Sequence, residues 1–130
     1  MTAARRTAAL TLCAAAALAV PLGASPAAAE APGVLLYVTV TPAHGGGANS
    51  VRLTCDPDGG LHPRPGAACD ALRQVDGVID DLDVDPGPCP LIHDPVDVEV
   101  HGYWYARPAS YDERFTNDCA MERKLGPLVR

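Results

Sequence analysis

Beyond residue 29 this chain has only two serines, Ser50 and Ser110, and neither sits in the Gly-x-Ser-x-Gly elbow that exposes a nucleophile. Serine hydrolysis needs an activated hydroxyl beside a base, so that chemistry has no candidate here. No Cys-x-x-Cys pair occurs, which removes the usual zinc frame. His44, His62, His93 and His101 show no metal-ligand spacing and read as ordinary surface or loop residues. The glycine run Gly45-Gly46-Gly47 is not followed by Lys-Ser/Thr or by a helical pattern, so it is a turn and not a phosphate cradle. The alternating aspartates of Asp80-Asp81-Leu82-Asp83-Val84-Asp85 start like a calcium loop. Pro86 and Ile92 then stand where that loop needs glycine and glutamate. There is no internal repeat. Nothing points to a cofactor, a metal or an enzyme.

What is present begins with an export signal. Arg5 and Arg6 precede an apolar Ala/Leu/Val stretch over Thr7 to Leu22, and Ala27-Ala28-Ala29 supplies the small residues of a signal-peptidase site. Pro21, Gly23 and Pro26 interrupt the stretch before it reaches the roughly 20 apolar residues of a membrane span. Residues 1–29 therefore read as a secretory signal that takes Cys13 with it, and residues 30–130 as a single extracellular domain. The whole chain has 10 basic and 16 acidic residues; without Arg5 and Arg6 the remainder has 8 basic against 16 acidic, a net charge of −8. Nucleic acid, which is bound through a basic patch, is excluded as a partner. About a hundred residues suffice for one modest core.

Four cysteines remain, Cys55, Cys69, Cys89 and Cys119. In an exported chain they read as two disulfides, which would leave no thiol for catalysis. Three pairings are open, and local spacing favours Cys55 with Cys69 and Cys89 with Cys119. Each bridge contributes roughly 3 to 4 kcal/mol in the chain-entropy picture.

Periodicity predicts an α+β fold. Leu36, Val38 and Val40 alternate with Leu35, Tyr37 and Thr39 in a strand over Val34 to Thr41. Val51, Leu53 and Cys55 make a second strand, and Asp56 to Gly66 is turn chemistry throughout. Cys69, Leu72, Val75 and Ile79 draw an apolar stripe along a helix from about Ala67 to Asp80. Val96, Val98 and Val100 alternate with Asp97, Glu99 and His101. A hairpin over Gly102 to Pro108 carries Tyr103, Trp104 and Tyr105 at its tip, and Ala109 to Phe115 returns. Thr116 or Asn117 caps a short helix over Asp118 to Leu125, stopped by Gly126-Pro127.

Between the helix stripe and the third strand lies Pro88-Cys89-Pro90-Leu91-Ile92-His93-Asp94-Pro95. Proline fixes its own φ and pushes the preceding residue toward extended geometry, so Cys89 and Asp94 are both biased that way. The stretch should be a stiff, extended loop presenting Leu91 and Ile92. Together with Leu53-Thr54-Cys55, the His62-Pro63 to Ala68-Cys69 segment, Ser110-Tyr111, Phe115 and Asn117-Asp118-Cys119, it resembles the Streptomyces subtilisin inhibitor family over about Val34 to Met121.

That resemblance implies a five-stranded, mainly antiparallel sheet with two helices, the same two disulfides, and a homodimer formed through the sheet. It implies inhibition of secreted serine proteases, subtilisin-like and also chymotrypsin-like, with Leu91-Ile92 as the reactive bond. Pro88, Cys89, Pro90, His93 and Asp94 would be its binding surroundings. Asn117 matches the asparagine that hydrogen-bonds to the loop in that family, a role that would compete with helix capping for one side chain. His93 departs from the aromatic residue common at its position. The rival reading is a secreted adhesion or signalling module that binds through the Tyr103 to Tyr105 hairpin.

Overall fold

The computed structural model describes residue 25 and residues 27–130; Cys13 and nearly all of the secretory-signal reading lie outside the described residues. The strands are β1 (Val34–Pro42), β2 (Asn49–Cys55), β3 (Gly59–Gly60), β4 (Val96–Trp104) and β5 (Arg107–Phe115), and the helices are α1 (Pro65–Gln74) and α2 (Asp118–Leu125). They form one five-stranded sheet in the order β3-β2-β1-β4-β5, with every pairing antiparallel.

The two longest alternating sequences become β1 and β4, which pair with each other at the middle of the sheet. Register places Val38 opposite both Val51 and Val100, so the apolar positions fall on one face. Val34, Leu36, Val38, Leu53, Val96, Val98 and Val100 are buried there beneath Leu72 of α1, Met121 and Leu125 of α2, and Leu128. Each such side chain contributes roughly 1.5 to 3 kcal/mol on leaving water. The opposite face, with Tyr37, Arg52, Glu99 and His101, is open, and none of the described helices covers it. Among the described residues no helix is long and apolar enough to cross a membrane.

Several local expectations change. The turn-rich stretch after Cys55 contains β3, two glycines long, paired with Leu53 and Thr54. Its Gly60 has φ +92°, and a Cβ there would lie 2.2 Å from the Arg52 carbonyl oxygen, so only glycine lets this edge close. α1 ends at Gln74 and does not run to Asp80. Asp76 and Gly77 both take positive φ, and the Gly77 amide donates to the Leu72 carbonyl, a left-handed stop that no alternation of apolar residues signals. Ile79 still reaches the core, from a 3₁₀ turn over Ile79–Asp81. His62 lies in a loop as expected but is buried: Nε2 pairs with the Leu128 carbonyl at 3.0 Å, and Nδ1 accepts from the Arg64 amide.

The hairpin expectation is also revised. β4 continues through Trp104, which is only 3 % exposed. The indole lies against Gly77, where a Cβ would meet the ring at 2.3 Å, and Nε1 donates to Asp76. The turn itself is Tyr105-Ala106. The largest aromatic is thus core material, which leaves the rival hairpin surface without its principal side chain.

Candidate functional site

Both disulfides have the pairing favoured above, Cys55–Cys69 and Cys89–Cys119. The second fastens the loop to the first turn of α2. From Pro86 to Asp94 the chain forms no regular structure, as its prolines dictate. Pro88, Pro90, His93 and Asp94 are exposed and Cys89 is half-buried. Leu91 is 106 % exposed and Ile92 is 63 % exposed. An aliphatic side chain held in water forgoes the gain of burial, and here Leu91 is wholly exposed with Ile92 largely exposed beside it.

The main chain beneath them is held firmly. Asn117 is 8 % exposed; its Nδ2 donates to the Pro90 carbonyl at 3.1 Å and to the Ile92 carbonyl at 2.7 Å. Those carbonyls flank Leu91. Its Oδ1 accepts from the Ala120 amide at 3.0 Å, capping α2. The two roles set in competition by the sequence are compatible, because a carboxamide has two donor hydrogens on one end and an acceptor on the other.

Beyond Ile92 the Asp94 amide donates to the Thr116 carbonyl, and the Ala43 amide donates to the Pro95 carbonyl. His44, in the glycine-rich turn, lies 3.5 Å from the Asp94 carboxylate. Ahead of Leu91, the Val84 and Asp85 amides donate to the Lys124 and Arg123 carbonyls, which are among the carbonyls a helix end leaves unpaired. The Arg123 side chain returns Nη1 to the Asp85 carbonyl and carboxylate, both at 3.0 Å.

The site is therefore an arch standing on one helix. Asn117, Cys119, Arg123 and Lys124 all belong to α2 or its cap, and each grips the loop. Sequence reasoning picked out Asn117 and Cys119 and missed Arg123, Lys124, Thr116 and Ala43. Main-chain partners carry no residue signature, and the Asp85–Arg123 pair spans 38 positions.

What this arrangement can do is present a backbone. The hollows beside Asn117 have volumes of about 190 and 220 Å³, below the usual range for small-molecule sites. Cys55, Asp58 and Cys69 are the one group of potential metal donors among the described residues, and both sulfurs are consumed by the disulfide. A convex, stiff, extended strand with its side chains outward has the form of a bound peptide substrate.

Comparison with known proteins agrees with this geometry. A family profile described as subtilisin inhibitor-like matches residues 31–117. A subtilisin inhibitor of Streptomyces albogriseolus is 38% identical over 114 residues, covering 82% of this chain and 76% of that protein. A trypsin inhibitor of Streptomyces longisporus is 41% identical over 112 residues, covering 80% of this chain and 75% of that one. Among solved structures, Streptomyces caespitosus sermetstatin, crystallised in complex with Bacillus licheniformis subtilisin, superposes with a TM-score of 0.57 at 30% identity. The match covers 73% of this chain and 96% of sermetstatin.

Proposed function

The chain belongs to the subtilisin inhibitor-like family, and on that premise we propose that it inhibits subtilisin-like serine proteases, with Leu91-Ile92 as the reactive bond. It is an inhibitor and not an enzyme. The observation that carries the bond assignment is the fully exposed Leu91 between two carbonyls pinned by Asn117.

Leu91 enters the primary pocket of the protease while Pro88, Cys89 and Pro90 lie along the enzyme as an added strand. The loop is already ordered, so docking costs little conformational entropy. Attack by the protease serine on the Leu91 carbonyl breaks the bond to Ile92 and leaves an ester on Leu91 and a free amine on Ile92. The disulfide keeps that amine beside the ester. It attacks the ester carbonyl, the serine oxygen leaves with a proton, and the peptide bond is restored. Religation thus competes with hydrolysis.

Three companion readings belong to the same proposal. Residues 1–29 direct export and residues 30–130 form the secreted inhibitor domain. The open sheet face is where two copies meet, supported by the exposed Tyr37 and its stacking on His101, with ring centroids 5.3 Å apart. Chymotrypsin-like enzymes, whose pocket is apolar, are secondary targets.

The deciding experiment is an inhibition constant for wild type, Leu91→Gly and Leu91→Lys against subtilisin and trypsin. Burying leucine is worth roughly 1.5 to 3 kcal/mol, so Leu91→Gly weakens subtilisin inhibition by at least about tenfold. Leu91→Lys moves inhibition toward trypsin, whose pocket is acidic. Equal potency of all three folded proteins against both enzymes would remove the bond assignment.

A further inference from the structure

We propose that Arg123 is a positioning residue for the loop, clamping residues 85–87 to α2 independently of the disulfide so that both sides of the Leu91-Ile92 bond are held on one helix. The proposal rests on the inhibitor reading above and adds to it a component on the side preceding the bond.

Arg123 and Asp85 are joined reciprocally. The Arg123 carbonyl accepts from the Asp85 amide at 2.8 Å, while Nη1 donates to the Asp85 carbonyl and to its carboxylate. An ion pair with Asp85 alone would contribute little, since that carboxylate is 74 % exposed and solvent screens it. Three observations separate this contact from a casual surface pair. Nη1 holds a main-chain carbonyl, which fixes backbone position whatever the side chain at 85 does.

The guanidinium also lies against Gly87. A Cβ on Gly87 would sit 2.7 Å from Nη1 and 3.1 Å from Cζ. The absence of a side chain there is what lets the arginine lie flat on the strand. Nε is buried without a partner among the described residues, a desolvation that a freely solvated arginine would avoid.

The placement gives the contact its consequence. Asn117 grips the carbonyls on either side of Leu91, and Cys89–Cys119 fastens the strand two residues earlier. Arg123 secures the strand two to four positions before Cys89. When the bond opens, the Leu91 side remains joined to the Ile92 side through the disulfide, Asn117 and this clamp. Losing the clamp lets residues 85–88 swing about Cys89, which misdirects the ester relative to the Ile92 amine and favours hydrolysis.

The test compares wild type with Arg123→Ala, Gly87→Ala, the double variant and Arg123→Lys, each folded by circular dichroism. The first readout needs no protease: amide hydrogen exchange in the free protein. Val84 and Asp85 should exchange about tenfold faster in both single variants, as expected for losing hydrogen bonds to a charged donor, with β1 and β4 unchanged. The second is the lifetime of subtilisin inhibition, which should shorten by about tenfold, while Arg123→Lys, still able to reach Asp85, recovers part of it.

Because Gly87→Ala acts by evicting the guanidinium, the double variant should be no worse than the worse single variant. Additive effects would overturn the shared clamp. Unchanged exchange, or faster exchange with an unchanged lifetime, would overturn the positioning role. If wild type itself fails to inhibit subtilisin, the inhibitor reading fails, and exchange alone decides whether Arg123 holds the strand.

Discussion

The two disulfides make the same covalent bond in opposite surroundings. Cys55 and Cys69 are wholly buried, joining β2 to α1 inside the core. Cys89 and Cys119 are half-exposed and join an irregular loop to α2. The sequence separations are 14 and 30, so chain entropy alone would make the second bridge slightly the more stabilising. Burial argues the reverse, since only the first is part of the packed interior. One bridge secures the fold and the other secures a shape that the fold does not require.

Removing the core bridge should have the largest effect on stability. Cys55→Ala/Cys69→Ala loses about 4 kcal/mol, a fall of roughly 20 °C in the thermal midpoint, while the inhibition constant measured well below that midpoint stays near wild type. Cys89→Ala/Cys119→Ala should lose about 3 kcal/mol, with no packing loss added to the chain-entropy contribution. Incubated with subtilisin it should be cleaved at Leu91-Ile92 and released as a substrate. Calorimetry on both variants sharpens the contrast: a loop variant at least as destabilised as the core variant would mean that chain entropy outweighs packing.

A smaller effect is expected at Asn117. Serine caps helices well but is too short to reach the Pro90 and Ile92 carbonyls. Asn117→Ser should therefore leave the thermal midpoint within a few degrees and cost the loop roughly 1 kcal/mol, a factor of about five in the lifetime of inhibition. Equal losses in midpoint and lifetime would show that cap and brace cannot be separated.

The smallest effect lies beside the core bridge. Tyr105 donates a hydrogen bond to Asp56, and Arg73 pairs with the same carboxylate. These contacts hold Asp56 below its ordinary value of 3.8, Tyr105 contributing most. A depressed folded-state value means that the stabilisation is present above pH 3.8 and disappears as pH falls through the lower folded value. Tyr105→Phe should lower the thermal midpoint slightly at pH 7 and not at strongly acid pH, with the inhibition constant unaltered at neutral pH. A midpoint difference independent of pH would assign the effect to packing.

Much of this division was legible in the sequence. The alternation in β1 and β4 gave strands and faces because one side of the sheet is buried and the other is wet. The prolines around Cys89 and Leu91 gave an extended, exposed loop because their constraint on φ is local. Asp118 to Leu125 was bounded correctly by its cap and by Gly126. The end of α1 was not, because the apolar stripe continues through Ile79 while Asp76 and Gly77 turn left-handed beneath it. β3 was invisible because two glycines carry no alternation. Trp104 read as a turn-tip aromatic because its burial depends on Gly77, 27 residues earlier in the chain. Arg123 gave no signal since its partners are a carbonyl, an exposed carboxylate and a missing Cβ.

Toward the loop, the Asn117 side chain hydrogen-bonds to the carbonyl oxygens of Pro90 and Ile92, atoms that every amino acid possesses. The support beneath the arch is therefore indifferent to the identity of residue 91. Leu91, fully exposed, touches nothing whose shape it must match. Substituting it changes what the molecule offers without changing how it is offered, so position 91 behaves as an interchangeable cartridge. A library randomised there alone should yield folded members with near-uniform melting behaviour, ranked differently by each protease against which it is screened.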